Sequence, residues 1–227
     1  MKTVFNDPIE YSLLLNGENL SVNSLIGKHI QLQHTGAIFC SSCGTKIKKT
    51  FQDGLCFKCF QSAPEASECI LRPELCRAHL GEGRDIEWEQ NNHNQPHVVY
   101  LAASDTVKVG VTRATQVPFR WMDQGAISAI RLAETPNRYE AGKLEVALKS
   151  FFTDKTNWQR MLKNEIDEYI RTGDKQKFED VLVWAKDNHP YQDENQNYIV
   201  RLTLSQEIPT QSEGTTTVLN GILDELV

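Results

Sequence analysis

Apolar and polar residues alternate loosely over residues 11–35, as they do in short strands with one buried face. Asn16-Gly17 separates two of the apolar runs, and this dipeptide is a strong hairpin signal in that position. We therefore predict two or three short strands here, leading into a compact segment at 37–60. Residues 61–97 are polar and irregular, with several prolines and glycines, and predict a connector.

The pattern over residues 97–152 predicts the order strand, strand, helix, strand, helix. Two apolar runs separated by Ser104-Asp105 predict a hairpin over 97–113. Residues 127–132 suit the third strand of this series.

Turn and cap residues place the two helices of the series. Pro118 suits a first helical turn and Gly125 a helix end, which predicts a short helix between them. Asn137 and Glu140 have the spacing of a capping box, and they open a second helix that continues to about Phe152.

Glu145 lies on the apolar face of this second helix, at helical spacing from Ala141, Leu148 and Phe152. A carboxylate there is at least partly buried and needs a metal ion, an arginine or several hydrogen-bond donors. The alternative is a glutamate at the edge of the face, solvated or paired with a nearby lysine.

The C-terminal region is predicted to contain helices over 157–170 and 175–187 and a strand over 198–202. A Ser/Thr-rich stretch over 209–217 is expected to be loose. Together with the preceding segments, this pattern predicts an α+β protein.

The chain has 227 residues and a net charge of −6, and no apolar run approaches the ~20 residues of a membrane span. Lys and Arg predominate in residues 1–60 and 98–163, whereas residues 164–227 are acidic. A basic central face suits phosphate binding, and the acidic region suits a protein partner. Because residues 1–6 lack the layout of a secretory signal, we expect a cytoplasmic protein with no membrane association.

Two Cys-x-x-Cys pairs share the 37–60 segment, namely Cys40 with Cys43 and Cys56 with Cys59. Each pair can hold two thiolates on one tight turn, and two such turns can close a tetrahedral Zn²⁺ site. Gly44 and Gly54 stand where these turns need an unusual backbone dihedral. Free thiols, a redox pair or disulfides are the alternatives, and a reducing cytoplasm favours structural zinc.

A second zinc site is predicted in the connector, with the ligands Cys69, Cys76, His79 and His93. His97 is the alternative fourth ligand, although it opens the hairpin and can instead face an active site. Without a metal, two buried thiols and a hydrogen-bonded histidine also explain these residues.

Four segments make the chain similar to an uncharacterised bacterial family, known as a domain of unknown function. They are Ile70-Leu71-Arg72-Pro73-Glu74, Val99-Tyr100-Leu101-Ala102, Lys108-Val109-Gly110-Val111-Thr112-Arg113 and Arg120-Trp121-Met122-Asp123-Gln124-Gly125-Ala126. The resemblance covers most of residues 10–205, and it implies a family but no function.

Residues 97–152 also resemble the GIY-YIG nuclease domain, in the variant whose second motif reads Lys-Val/Ile-Gly-x-Thr. The resemblance implies that Tyr100 helps to activate water, acting as or through a general base. It implies that Arg120 stabilises the phosphate and that Glu145 holds Mg²⁺ or Mn²⁺. Lys108 stands where the second motif has tyrosine and can offer its charge to a phosphate; Asn157 is the candidate for the family's later asparagine.

These inferences predict three parts: a β-rich zinc ribbon with a metal-braced connector (1–96), a GIY-YIG-like domain (97–170), and an acidic helix and strand (171–227). The central domain is expected to be a small antiparallel sheet flanked by helices. The predicted function is a divalent-metal-dependent nucleic-acid phosphodiesterase with one or two structural zinc ions. The alternative is a catalytically inactive zinc-containing module on the same scaffold that binds nucleic acid, DNA or RNA, or protein.

Overall fold

The computed structural model describes residues 1–163, except 16, 35, 127, 151 and 153–157, and also residues 199–201. The helix predicted over 175–187, the loose stretch over 209–217 and Asn157 lie outside the described residues. The described part mixes helices with small antiparallel sheets, which confirms the α+β prediction. None of the described helices has the length and apolar character that crossing a bilayer requires.

The N-terminal segment forms a three-stranded antiparallel sheet in the order β1-β2-β3. Its strands are β1 (Lys2–Val4), β2 (Glu10–Leu15) and β3 (Glu18–Ser21). β2 and β3 pair as the predicted hairpin, and Gly17 in their turn has φ of +88°. The pattern analysis missed β1, and the apolar residues Ile30 and Leu32 lie outside the strands and are exposed.

The cysteine-rich segment contains two short paired strands and one helix, namely β4 (Ile38–Phe39), β5 (Lys46–Ile47) and α1 (Phe57–Ser62). The connector that follows consists mainly of short 3-10 helices and ends in α2 (Ile86–Asn92). Its 3-10 helices are Pro64–Ala66, Glu68–Ile70, Pro73–Leu75 and Ala78–Leu80. Further 3-10 turns lie at Asn23–Leu25, Gln52–Gly54 and Ala114–Gln116.

A four-stranded antiparallel sheet forms the centre of the molecule, in the order β7-β6-β8-β9. Its strands are β6 (His97–Ala103), β7 (Val107–Arg113), β8 (Ser128–Thr135) and β9 (Ile199–Arg201). The helices of this region are α3 (Phe119–Asp123), α4 (Arg138–Leu148) and α5 (Trp158–Leu162). The predicted order strand, strand, helix, strand, helix is confirmed, and α5 and β9 fall within the predicted 157–170 and 198–202 elements.

Every residue of β6 is buried, because both faces of the sheet are covered. Val99 and Leu101 point to one face and pack in a core with Leu144 and Leu148 of α4. The alternate residues point to the other face and pack in a second core with residues of α3, and Ile9 from the N-terminal segment completes it. The second core contains Ile9, Val98, Tyr100, Ala102, Trp121, Met122, Ala126 and Ala129.

The N-terminal sheet is attached to α3 by hydrogen bonds as well as by this apolar packing. The Thr3 hydroxyl donates to Asp123 Oδ1 at 2.6 Å. The Tyr11 hydroxyl donates to the backbone carbonyl of Met122 at 3.0 Å. These contacts fix the helix that carries Arg120.

Helix α4 begins and packs for reasons that are local in sequence. The Asn137 side chain accepts a hydrogen bond from the Glu140 backbone N–H at 3.0 Å, which is the predicted cap. Gly142 lies against the Pro73–Leu75 turn so closely that a Cβ would be 2.2 Å from the backbone nitrogen of Glu74. Only glycine fits this contact between helix and connector.

We expect Gly142→Ala to lower the free energy of unfolding by about 1–3 kcal/mol, because the added methyl group overpacks the contact with the Pro73–Leu75 turn. Helix propensity alone predicts the opposite sign, a gain of about 1 kcal/mol. Denaturant unfolding measures the change, with Val146→Ala on the exposed side of α4 as the control. A stabilised Gly142→Ala protein would contradict the close approach.

Candidate active site and metal centres

The four cysteines of the 37–60 segment come together in the structure. Cys40 and Cys43 lie on the turn between β4 and β5, Cys56 is the N-cap of α1, and Cys59 lies in its first turn. The four Sγ atoms lie within 4.8 Å of one another. Cys43 Sγ and Cys56 Sγ are 3.9 Å apart, close to the ~3.8 Å edge of a tetrahedron with Zn–S bonds of about 2.3 Å. This group could hold zinc, as predicted.

Backbone N–H groups donate hydrogen bonds to these sulfur atoms. The Cys56 N–H donates to Cys40 Sγ at 3.1 Å. The backbone N–H of Cys43, followed by that of Cys56, holds the pKa of the Cys40 thiol down at about 6, which favours the thiolate that a metal needs. Gly44 and Gly54 have φ of +69° and +87°, so both adopt the left-handed conformation that the turns were predicted to require.

A second buried group forms where the connector meets the central sheet. Its members are Cys69, Cys76, Glu89 and His93, whose ligand atoms also lie within 4.8 Å of one another. Three of the four predicted ligands are therefore brought together. His79 is not, because its ring stacks on Tyr139 with the centroids 4.6 Å apart.

The fourth member of this group is Glu89 rather than His79, and the sequence analysis did not predict Glu89. Glu89 and His93 are four residues apart, so α2 presents both side chains on one face, and this spacing was the available signal. The Glu89 carboxylate contacts Nδ1 of His93 and accepts a hydrogen bond from the Ser67 hydroxyl at 3.2 Å. His93 Nδ1 is also 3.8 Å from Cys69 Sγ.

His97, the alternative ligand, is buried at the start of β6 and lies outside the group. Its Nδ1 is 2.7 Å from the Gln95 carbonyl, and within the described residues its Nε2 has no hydrogen-bond partner. Burial lowers the pKa of His97 to about 4, so the ring is neutral at physiological pH.

Tyr100 lies in the second core, on the face of the sheet that α3 covers, and 2% of its surface is exposed. Its hydroxyl donates to Gln124 Oε1 at 2.8 Å, and its ring packs on Trp121 with centroids 5.8 Å apart. The Gly110 backbone lies directly opposite, and a Cβ there would be 2.7 Å from the hydroxyl oxygen. The glycine of the second motif therefore leaves room for the phenol.

Two other predicted catalytic residues, Arg120 and Glu145, act electrostatically on Tyr100. Burial raises the pKa of Tyr100, the positive charge of Arg120 beside the hydroxyl lowers it, and the negative charge of Glu145 raises it. Arg120 is exposed, so a cation lies at the surface above a buried phenol. Gln124, which the sequence analysis missed, follows Arg120 by four residues at the end of α3.

Glu145 is 8% exposed and lies on the buried face of α4, as the helical spacing predicted. Its Oε2 is 3.9 Å from Nζ of Lys149, one helical turn away. Lys108 has partners of its own, since its Nζ is 3.1 Å from Asp105 Oδ1 and 2.6 Å from the Ser104 hydroxyl. Lys108 thus braces the β6–β7 turn.

The surface of the cysteine-rich segment carries exposed aromatic rings among lysines. Phe39 and Phe57 are both more than half exposed. Phe39 pairs with Lys46 across β4 and β5, and Lys49 Nζ lies 5.3 Å from the ring centroid of Phe51. The exposed lysines of this surface are Lys46, Lys48, Lys49 and Lys58.

A family model described as "Protein of unknown function (DUF2797)" matches residues 27–221. The match includes both cysteine groups and the surroundings of Tyr100, and it confirms the resemblance to a domain of unknown function. No curated protein and no solved structure matches the chain.

We expect the protein to bind zinc at the four-cysteine group and Cys56→Ser to lose it, because a neutral hydroxyl replaces one thiolate. Mass spectrometry of bound metal measures the loss, and the exposed Lys48→Ala is the control. Equal zinc content in Cys56→Ser and the wild type would show that the metal lies elsewhere.

Proposed function

We propose that this chain, which belongs to the DUF2797 family of proteins of unknown function, is a divalent-metal-dependent phosphodiesterase acting on nucleic acid. Family membership assigns no activity, so the proposal is argued from the geometry. The observation that carries this proposal is the buried Tyr100 hydroxyl, which has Gly110 opposite it and feels the charges of Arg120 and Glu145. Phosphodiester hydrolysis needs a positioned water, a cation for the developing charge and a metal at the leaving oxygen.

The central domain, proposed as 97–170, is GIY-YIG-like. The order of β6, β7, α3, β8 and α4 supports this assignment, and so does the position of Tyr100 opposite Gly110. In this proposal residues 1–96 form the zinc-binding N-terminal region, residues 171–227 form the acidic C-terminal region, and the protein acts in the cytoplasm.

Arg120 is proposed to bind the scissile phosphate. Arg120 is exposed, so an incoming phosphate meets its positive charge at the surface. A planar guanidinium can donate to two phosphate oxygens at once, and it stabilises the charge that grows on them as the P–O bond to the leaving group breaks.

Tyr100 is proposed to orient the attacking water. Burial holds the pKa of Tyr100 above its ordinary value, so the phenol is neutral and its hydroxyl donates a hydrogen bond to Gln124 Oε1. A neutral phenol can still accept a hydrogen bond from water. Tyr100 then acts by orienting the water, and the water proton passes to the solvent.

Glu145 is proposed as the protein ligand of Mg²⁺ or Mn²⁺. These cations usually take one or two carboxylates and complete their shells with water and substrate phosphate, so one buried carboxylate fits them. The cation would supply charge neutralisation at the leaving oxygen. Lys149, 3.9 Å from the carboxylate, balances the negative charge of Glu145 while no cation is bound.

The nucleic-acid partner is proposed from the aromatic and basic surface of the cysteine-rich segment. Exposed Phe39 and Phe57 offer rings on which bases can stack, and the surrounding lysines can contact the phosphates. Stacking of this kind does not read a base sequence.

A second candidate function is a catalytically inactive module that binds nucleic acid or protein on the same scaffold. Two ion pairs favour it: Lys149 already neighbours Glu145, and Lys108 is held by Asp105 and Ser104. In this case Arg120 and the lysines bind a phosphate backbone without cleaving it.

We expect Glu145→Gln to lower Mg²⁺- or Mn²⁺-dependent cleavage by about 100-fold or more, because the amide is a poor ligand for the cation. The substrates are branched DNA, single-stranded DNA and RNA. The matched control is Glu140→Gln on the same helix, whose carboxylate pairs with Lys143. Cleavage retained by Glu145→Gln would contradict the assignment, and a wild type that binds but never cleaves would establish the second candidate.

We expect Phe57→Ala to weaken binding of single-stranded nucleic acid by about 1–3 kcal/mol, because one stacked base is lost. Fluorescence anisotropy at fixed salt measures the change. Ile86→Ala removes an equally exposed apolar side chain outside the cysteine-rich segment and should leave the affinity unchanged. Equal effects of both substitutions would contradict a stacking role for Phe57.

A further inference from the structure

We propose that Cys69, Cys76, Glu89 and His93 form a second zinc site, buried and of mixed ligand type, that clamps the connector to helix α4. This site is separate from the four-cysteine group and does not depend on the proposed nuclease activity. Its ligands come from two 3-10 turns of the connector and from α2.

One pair of ligand atoms already has nearly the spacing of a tetrahedral shell. Zn–S and Zn–N bonds of about 2.3 and 2.0 Å place a thiolate and an imidazole nitrogen ~3.6 Å apart. Cys69 Sγ and His93 Nδ1 are 3.8 Å apart. Glu89 and His93 are in direct contact.

Because these four side chains are buried, a bound cation would stabilise them in their charged forms. Glu89 and His93 are each 3% exposed, and both cysteines are buried. Two thiolates and a carboxylate carry three negative charges, which an apolar interior does not tolerate alone. Zn²⁺ leaves one negative charge, and Arg138, whose guanidinium donates to the Cys69 and Ile70 carbonyls, brings a positive charge beside the site.

Surrounding groups hold the ligands in place. The Ser67 hydroxyl donates to the free oxygen of Glu89, which fixes the carboxylate orientation. Gly83 lies against the same side chain, and a Cβ there would be 2.4 Å from Glu89 Cγ. Arg138 Nε donates to the Cys69 carbonyl at 3.0 Å.

The same contacts link the site to α4. The backbone N–H of Arg138, the first residue of α4, donates to the His93 carbonyl at 2.9 Å. Arg138 Nη2 reaches the Ile70 carbonyl at 2.8 Å, and Gly142 packs on the turn that precedes Cys76. A metal at this site therefore holds the start of α4 against the connector.

Zinc stoichiometry of the full chain tests this proposal. We expect two Zn²⁺ per chain after saturation with Zn²⁺ and passage over a chelating resin, one for each group. The double variant Cys40→Ser/Cys43→Ser should retain one. Glu89→Gln, which keeps side-chain size, should also retain one, and so should His93→Phe.

His79→Phe is the matched control, because it keeps the stacking on Tyr139 and removes only a histidine near the site. It should retain two Zn²⁺. Cobalt substitution in Cys40→Ser/Cys43→Ser should give a thiolate-to-cobalt charge-transfer band. The intensity of that band should correspond to two Co–S bonds rather than four.

Two outcomes would overturn the proposal. One is a wild type with a single Zn²⁺ that Cys40→Ser/Cys43→Ser abolishes, which leaves the second group as a hydrogen-bonded network. The other is a second Zn²⁺ that His79→Phe removes and Glu89→Gln retains. The wild-type stoichiometry decides even if a variant fails to fold.

Discussion

The burial of β6 on both faces is the constraint on which the rest of this structure depends. A strand that is covered on both sides needs apolar or hydrogen-bonded side chains at every position, and residues 97–103 meet this need. The alternation of its side chains then decides what each face holds. Val99 and Leu101 anchor α4, whereas Tyr100 joins α3 and the N-terminal segment. Tyr100 of the proposed active site therefore lies on the α3 face of the sheet, whereas Glu145 belongs to α4, which packs on the other face.

Buried carboxylates show how the protein distributes charge around this sheet. Glu89, Asp105 and Glu145 are buried, and each has a cationic or ionisable neighbour. Asp105 has Lys108 and the Ser104 hydroxyl at close range on its Oδ1 atom. Glu145 has Lys149 at 3.9 Å, and Glu89 contacts His93, which also neighbours the Cys69 thiol.

Local signals in the sequence predicted much of this architecture. The hairpin around Ser104-Asp105, the cap at Asn137 and the four-cysteine group each depend on residues close together in the chain, where turn and cap chemistry decide the outcome. Glu89 and Gln124 could not be found in this way, because their partners come from distant elements that only the folded chain brings together. His79 was chosen for its spacing from Cys76, yet its ring stacks on Tyr139 instead.

Ile9 has no exposed surface, and it lies in the same core as Tyr100, Trp121 and Met122. The family match begins only at residue 27, so the boundary of sequence similarity and the boundary of the folded unit do not coincide. A fragment cut at residue 27 would leave Trp121 and Met122 facing water on one side and would release Asp123 and the Met122 carbonyl from Thr3 and Tyr11. A relative without this N-terminal segment would have to cover the α3 side of the sheet with a different part of its chain, or with another molecule.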